Sequence, residues 1–207
     1  MQLPDARLWR SRRTRELAVA RKAMLKDFHE PSRFIHKNLS TIHCIFASGD
    51  QTTVIYEYAE LRLSEFPTLT PLTEIEIAIA MSQFTDAIRY LATTLPFSPI
   101  DSEQLSLSGN VKLLLDFGFT FQAGCKTAHQ CWRECYSTVM LNFKESHTEI
   151  CKLSCNACHY FEESARGIPS SNHLFLQRGQ LAGPRGLTLA AKRAAGTLIA
   201  KGRAERL

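Results

Sequence analysis

From Thr73 to Leu91 the chain spells one long helix with a buried face, and the rest of the fold has to be arranged around it. Thr73 is followed three residues later by Glu76. In that pairing the hydroxyl and the carboxylate each satisfy an amide left unpaired at a helix start. Ile77, Met81, Phe84, Ile88 and Leu91 then recur every three or four positions, the stripe of a core-facing helix. Upstream the pattern is that of strands. Leu39 to Phe46 is an apolar, β-rich run, Ser48-Gly49-Asp50 is a turn signal, and Thr52 to Tyr58 is a second run, which predicts a hairpin. Residues 17–25 fit a strand or a helix start, and Pro31 limits any helix over Asp27 to Phe34 to a short one.

Downstream, residues 93–106 contain Pro96, Pro99 and many hydroxyls and read as a loop. Leu105–Leu107 and Val111–Leu115 flank Ser108-Gly109-Asn110 as a small hairpin, and Asp116-Phe117-Gly118 follows. Helical patterns cover roughly 128–143 and 149–164, Ile168-Pro169-Ser170 interrupts them, and a short helical piece is expected at His173 to Leu176. Residues 178–187 hold three glycines and a proline and read as a linker. Leu187 to Leu207 is a basic, alanine-rich amphipathic helix candidate. No internal repeat is visible.

At 207 residues, 44% apolar and 22% charged, the composition excludes wholesale disorder. The net charge of +5 is unevenly spread: residues 1–37 carry ten Lys/Arg against four Asp/Glu, and residues 178–207 carry seven against one. The middle is acidic. Basic ends suit nucleic acid or an anionic membrane, yet solvated termini account for them more simply, and nucleic acid is not an expected partner. No apolar run is long enough to span a bilayer, and no signal-peptide core follows Met1. Leu8 to Arg13 has the arginine content of a mitochondrial presequence, against which Asp5 and Glu16 count. Seven cysteines, an odd number, lead us to expect reduced thiols and a cytoplasmic or nuclear setting.

Six of those cysteines, Cys125, Cys131, Cys135, Cys151, Cys155 and Cys158, cluster with His129, His147 and His159. Cys151-x3-Cys155-x2-Cys158 could supply three of the four ligands of a zinc tetrahedron. The spacings contain no two Cys-x-x-Cys pairs, and a free cysteine usually behaves as a small buried hydrophobe. The expectation is therefore buried thiols, with Cys151, Cys155 and Cys158 on one core-facing side of a helix and no zinc cofactor.

In their order along the chain these parts resemble the eukaryotic protein kinase fold, over about residues 17–177. Val19-Ala20-Arg21-Lys22 looks like the Val-Ala-x-Lys of that family's third strand. His36-Lys37-Asn38-Leu39 is similar to the motif opening its fourth. Tyr56-Glu57-Tyr58-Ala59-Glu60 resembles the gatekeeper and hinge, and residues 72–92 the long helix of the large lobe. The hairpin and Asp116-Phe117-Gly118 come next in family order, Trp132 resembles the tryptophan of the central large-lobe helix, and 153–161 and 173–176 its closing helices. The resemblance implies an α+β, abbreviated bilobal fold: a basic segment 1–16, a reduced β small lobe 17–60, a mostly helical large lobe 61–177, and a linker with a basic helical tail 178–207. It implies a nucleotide site in which Lys22 and Asp116 meet ATP and its magnesium, Asp116 being the metal ligand, while Glu57 and Ala59 offer backbone to adenine.

Phosphoryl transfer asks a protein for positioning and charge neutralisation, and most of those devices are missing here. No glycine precedes Gly49, so no glycine-rich loop leads to Lys22. Glu30, beside Pro31, and Asp27 are the only acidic residues on the short stretch between Lys22 and His36. There is no His-Arg-Asp, Asp101 standing alone in its region as the weak catalytic candidate, and no Ala-Pro-Glu. The resemblance is thus to a pseudokinase, a non-catalytic module that binds or scaffolds a protein partner. The alternatives are a divergent ATP-dependent kinase retaining the Asp-Phe-Gly, a cysteine-rich zinc-binding module, and a decayed relative of a kinase.

Overall fold

The computed structural model describes residues 6–10, 17–24, 35–49, 51–58, 61–62, 69–94, 105–107, 111–113, 132–133, 136–137, 153–183 and 185–204. They form a mixed α+β protein. In chain order the elements are β1 (Ala6–Arg10), β2 (Leu17–Met24), β3 (Ile42–Ser48), β4 (Gln51–Glu57), β5 (Leu61–Arg62), α1 (Glu74–Thr94), β6 (Leu105–Leu107), β7 (Val111–Leu113), α2 (Cys155–Arg166), α3 (Leu174–Ala182) and α4 (Arg185–Ala204).

Strands β1 to β4 make one antiparallel sheet in the order β1-β2-β4-β3. Its hairpin turns at Gly49, whose φ of 59° is the left-handed conformation that a tight β-turn needs and that glycine adopts without steric cost. A register shift between Ile42 and Cys44 bends the edge strand. Ala18, Ala20 and Ile55, with Cys44 against them, form a small apolar layer on this sheet. The second sheet is smaller, β5-β6-β7, again antiparallel. Only residues 58–60 separate β4 from β5, so the chain passes from one sheet directly into the other.

Helix α1 is the axis of the main core. The capping box forms: the Thr73 amide donates to Glu76 Oε2 at 2.8 Å, and the Glu76 amide donates to Thr73 Oγ1 at 3.4 Å. All five stripe residues are buried, but so are Ala78, Ile79, Ala80, Ser82 and Thr85. A helix buried on so much of its circumference has neighbours on several sides; α3, α4 and β7 supply them. Strands β6 and β7 pair antiparallel, as expected of the arms that flank Ser108-Gly109-Asn110.

Two expectations are corrected. Residues 178–187 are helical up to Ala182 and again from Arg185, so composition misread them as a linker. Gly179 is a contact glycine: a Cβ there would lie 2.6 Å from the Ile79 amide nitrogen. Gly183, at φ 67°, ends α3 and lets α4 begin. The helix α4 is part of the core, with Leu187, Ala190, Ala191 and Ala194 buried against it. The cysteine expectation fails too, for Cys155 and Cys158 are exposed. The inward stripe of α2 is Ala157, Tyr160 and Ser164, and Ser154, not a residue near 149, caps it. Cys151 and the other clustered cysteines lie outside the described residues, as does the helix expected over Asp27 to Phe34. Of the helix expected over 128–143, only 132–133 and 136–137 are described, and they are helical.

Candidate functional site

Of the residues expected at a nucleotide site, two are described in β-structure. Lys22 lies in β2, in register with Thr53 of β4, and Glu57 ends β4 opposite Ala18. They sit four ladder positions apart, about 13 Å along the strands. The Glu57 carboxylate is engaged locally: Thr41 donates its amide to Oε2 at 3.1 Å, and the Glu57 amide returns a bond to the Thr41 carbonyl at 2.8 Å. Ala59, Asp101 and Asp116 lie outside the described residues. The segment His36-Lys37-Asn38-Leu39 packs onto α1 instead of standing free. His36 stacks on Tyr90 with ring centroids 4.9 Å apart, Lys37 reaches Asp86 at 3.0 Å, and buried Asn38 donates to Gln83 at 3.3 Å. A cavity of about 370 Å³ opens beside this segment, lined by Lys37, Asn38, Ser82, Gln83, Asp86 and Gly179.

A second constellation was not expected from the sequence. His159 and Glu163 are four residues apart on α2 and so share one face. The turn that follows α2 brings His173 back to them. Ser170 accepts the His173 amide at its carbonyl (3.2 Å) and the Asn172 amide at Oγ (3.2 Å), and Arg89 of α1 donates to the Pro169 carbonyl. His159 Nδ1 and His173 Nε2 end 2.9 Å apart, their rings stacked at a centroid distance of 5.2 Å. Glu163 Oε2 lies 3.7 Å from His173 Nε2, while its other oxygen accepts the Ser170 amide at 3.4 Å. One donor atom from each of the three side chains falls within 4.8 Å of the others.

The electrostatics favour neutral imidazole at His173. Its side chain is only 9% exposed, and burial outweighs the opposing pull of the Glu163 carboxylate, lowering its pKa from the usual 6.5. The ring also caps α3, with Nδ1 accepting the Phe175 amide at 3.2 Å, and Tyr160 meets it edge-on. The neutral ring therefore carries its proton on Nε2, shared with His159 Nδ1. In the sequence His159 stood out only as a neighbour of cysteines. The His159-x3-Glu163 spacing was legible there; the return of His173 was not, because it depends on the turn at 167–173.

No family model matches this sequence, and no curated protein matches it. Among the described residues no helix is long and apolar enough to cross a membrane.

Proposed function

We propose that the chain is a protein kinase-like module without the machinery for phosphoryl transfer, which holds Mg-ATP weakly at most and serves by binding a protein partner. One relationship carries the reading. Strand β2, with Lys22, pairs directly with β4, whose end is the hinge-like Tyr56-Glu57-Tyr58. Three residues later the chain enters β5, which pairs with β6 and through it with β7, ending three residues before Asp116. The reading is supported by the chain's passage from the sheet that carries Lys22 and Glu57 to the sheet whose last strand ends three residues before Asp116. In a bilobal kinase-like arrangement that junction is the floor of the nucleotide cleft.

The absence of a His-Arg-Asp and an Ala-Pro-Glu from the sequence argues against turnover. A lysine and one magnesium ligand neutralise phosphate charge, but nothing orients an attacking hydroxyl. The test is a thermal-shift titration with ATP, with and without magnesium, on the wild type and Asp116→Asn, run beside a phosphate-release assay. A magnesium-dependent rise in melting temperature that the variant loses, with no turnover, is the expected result. Turnover abolished by Asp116→Asn would make the chain a divergent kinase instead. No nucleotide effect on a cooperatively melting protein would remove nucleotide from the proposal.

A further inference from the structure

We propose that His159, Glu163 and His173 form a binding site for one divalent transition-metal ion of the zinc type, independent of any nucleotide cleft. The donor set, two imidazoles and a carboxylate, is one that zinc accepts in three-ligand sites with the fourth position left to water. The distances suit it. Ligand bonds of about 2.0 to 2.2 Å in a tetrahedron put neighbouring donor atoms roughly 3.3 Å apart. The pair at 2.9 Å and the pair at 3.7 Å bracket that spacing, and the third pair, His159 with Glu163, lies within 4.8 Å, so side-chain adjustments of no more than about 1.5 Å bring all three onto one ion.

The surroundings hold the donors in place before any ion arrives. His159 and Glu163 are on successive turns of one helix. Ser170 takes one Glu163 oxygen and leaves the other toward His173, the kind of outer partner that orients a ligating carboxylate. Stacking against His159 and edge contact with Tyr160 restrict the His173 ring. Coordination through Nε2 has one structural consequence: the His173 proton moves to Nδ1, and the Phe175 amide loses its cap. That amide is in the first turn of α3, where donors have no intrahelical partner in any case. Cys155 is exposed one turn before His159 on α2, but its sulfur is not among the converging atoms.

The experiment is a calorimetric titration of the full chain with zinc chloride under reducing conditions, with cobalt(II) absorption as a second readout. Three variants accompany the wild type: His159→Ala, His173→Asn, and a Cys155→Ser/Cys158→Ser double substitution. Asparagine is a good helix N-cap, so His173→Asn removes the ligand while keeping the start of α3. The wild type is expected to bind one equivalent that His159→Ala and His173→Asn weaken by at least about 100-fold, beyond the loss of a mere outer-shell partner. The double cysteine variant should retain it, and cobalt should show no thiolate charge-transfer band. The proposal is overturned if the wild type shows no saturable zinc binding, if His159→Ala binds as well as wild type, or if the equivalent is lost with the two cysteines.

Discussion

Arg193 of α4 closes on Glu76 in the first turn of α1, its Nη2 lying 2.8 Å from Oε1 and 2.9 Å from Oε2. The Glu76 side chain is 6% exposed, and the same carboxylate completes the capping box with Thr73. The joint fastens the C-terminal helix to the start of the central one. Arg193→Ala would leave a buried carboxylate facing only the helix start, whose dipole favours it in part. Because water reaches the arginine side of the pair, the cost should be about 2 kcal/mol, less than for a fully buried pair. In urea unfolding the midpoint should fall with the slope unchanged. An unmoved midpoint would show that α4 is held by its apolar stripe alone.

Two glycines in neighbouring helices should respond in opposite directions to the same substitution. At Gly179 a methyl group would collide with the backbone of Ala78 and Ile79 in α1. Backbone in a packed helix cannot swing aside as a side-chain tip can, so Gly179→Ala should destabilise by about 3 kcal/mol. At Gly196, inside α4, an added Cβ meets nothing within 4 Å. Gly196→Ala should therefore gain about 0.8 kcal/mol from helix propensity alone. Paired thermal melts would read both, and equal effects would contradict the close crossing of α1 and α3.

Glu74 is the meeting point of three helices. Its carboxylate accepts the Ser154 amide at 2.8 Å and the Ser154 hydroxyl at 2.7 Å, where α2 begins, and pairs with Arg178 of α3 at 3.3 Å. Glu74→Ala should cost about 1 to 2 kcal/mol, since it strips an orphan helix-start amide of its partner. Arg178→Ala, at a side chain that is 53% exposed, should cost less than about 1 kcal/mol. Chemical denaturation of both single variants and the double would test this. A larger loss at Arg178 than at Glu74 would put the weight of the contact on the ion pair.

The elements set by local chemistry were legible in the sequence. The Thr73–Glu76 box, the stripe from Ile77 to Leu91, the turn at Gly49 and the hairpin of 105–113 depend on neighbours a few residues apart, and those are what a pattern encodes. What was not legible depends on long-range contact. Glycine at 179 signals a linker by composition and a close helix crossing by structure, and only the presence of Ala78 decides which. Cys155 and Cys158 share a side of α2, but the register of the helix on the core, set by Tyr160 and Ala157, turns that side to solvent. Likewise His173 joins His159 and Glu163 only because Arg89 and Ser170 shape the turn between α2 and α3. Pattern and resemblance together expected Lys22 and Glu57 each on a strand; that those two strands pair directly, and that β5 joins β6, had no signature in the sequence.

Alkaline pH should unfold the helical core through two tyrosines. Tyr160 is fully buried, its hydroxyl 3.2 Å from Thr85 Oγ1, and Tyr136 donates to the Phe161 carbonyl at 2.8 Å. Burial raises the pKa of Tyr160 from 10.0 to about 12 and that of Tyr136 further still, with the neighbouring Tyr160 adding to the latter. Between those values the unfolded chain gives up protons that the native protein keeps. The native state then binds more protons, so stability falls as pH rises above 10 and is fully present below it. Melting temperature measured from about pH 9 to about pH 12 should decline once the pH passes 10.0, the ordinary tyrosine value. Absorbance of tyrosinate should show Tyr136 and Tyr160 ionising only as the fold is lost. Tyr136→Phe, which deletes one of the two titrations together with its hydrogen bond, should lower the melting temperature at neutral pH and flatten the alkaline decline. Free titration of Tyr136 and Tyr160 near the ordinary tyrosine value, with the helices intact, would mean that Trp132, Tyr136 and Tyr160 are not sealed in the core.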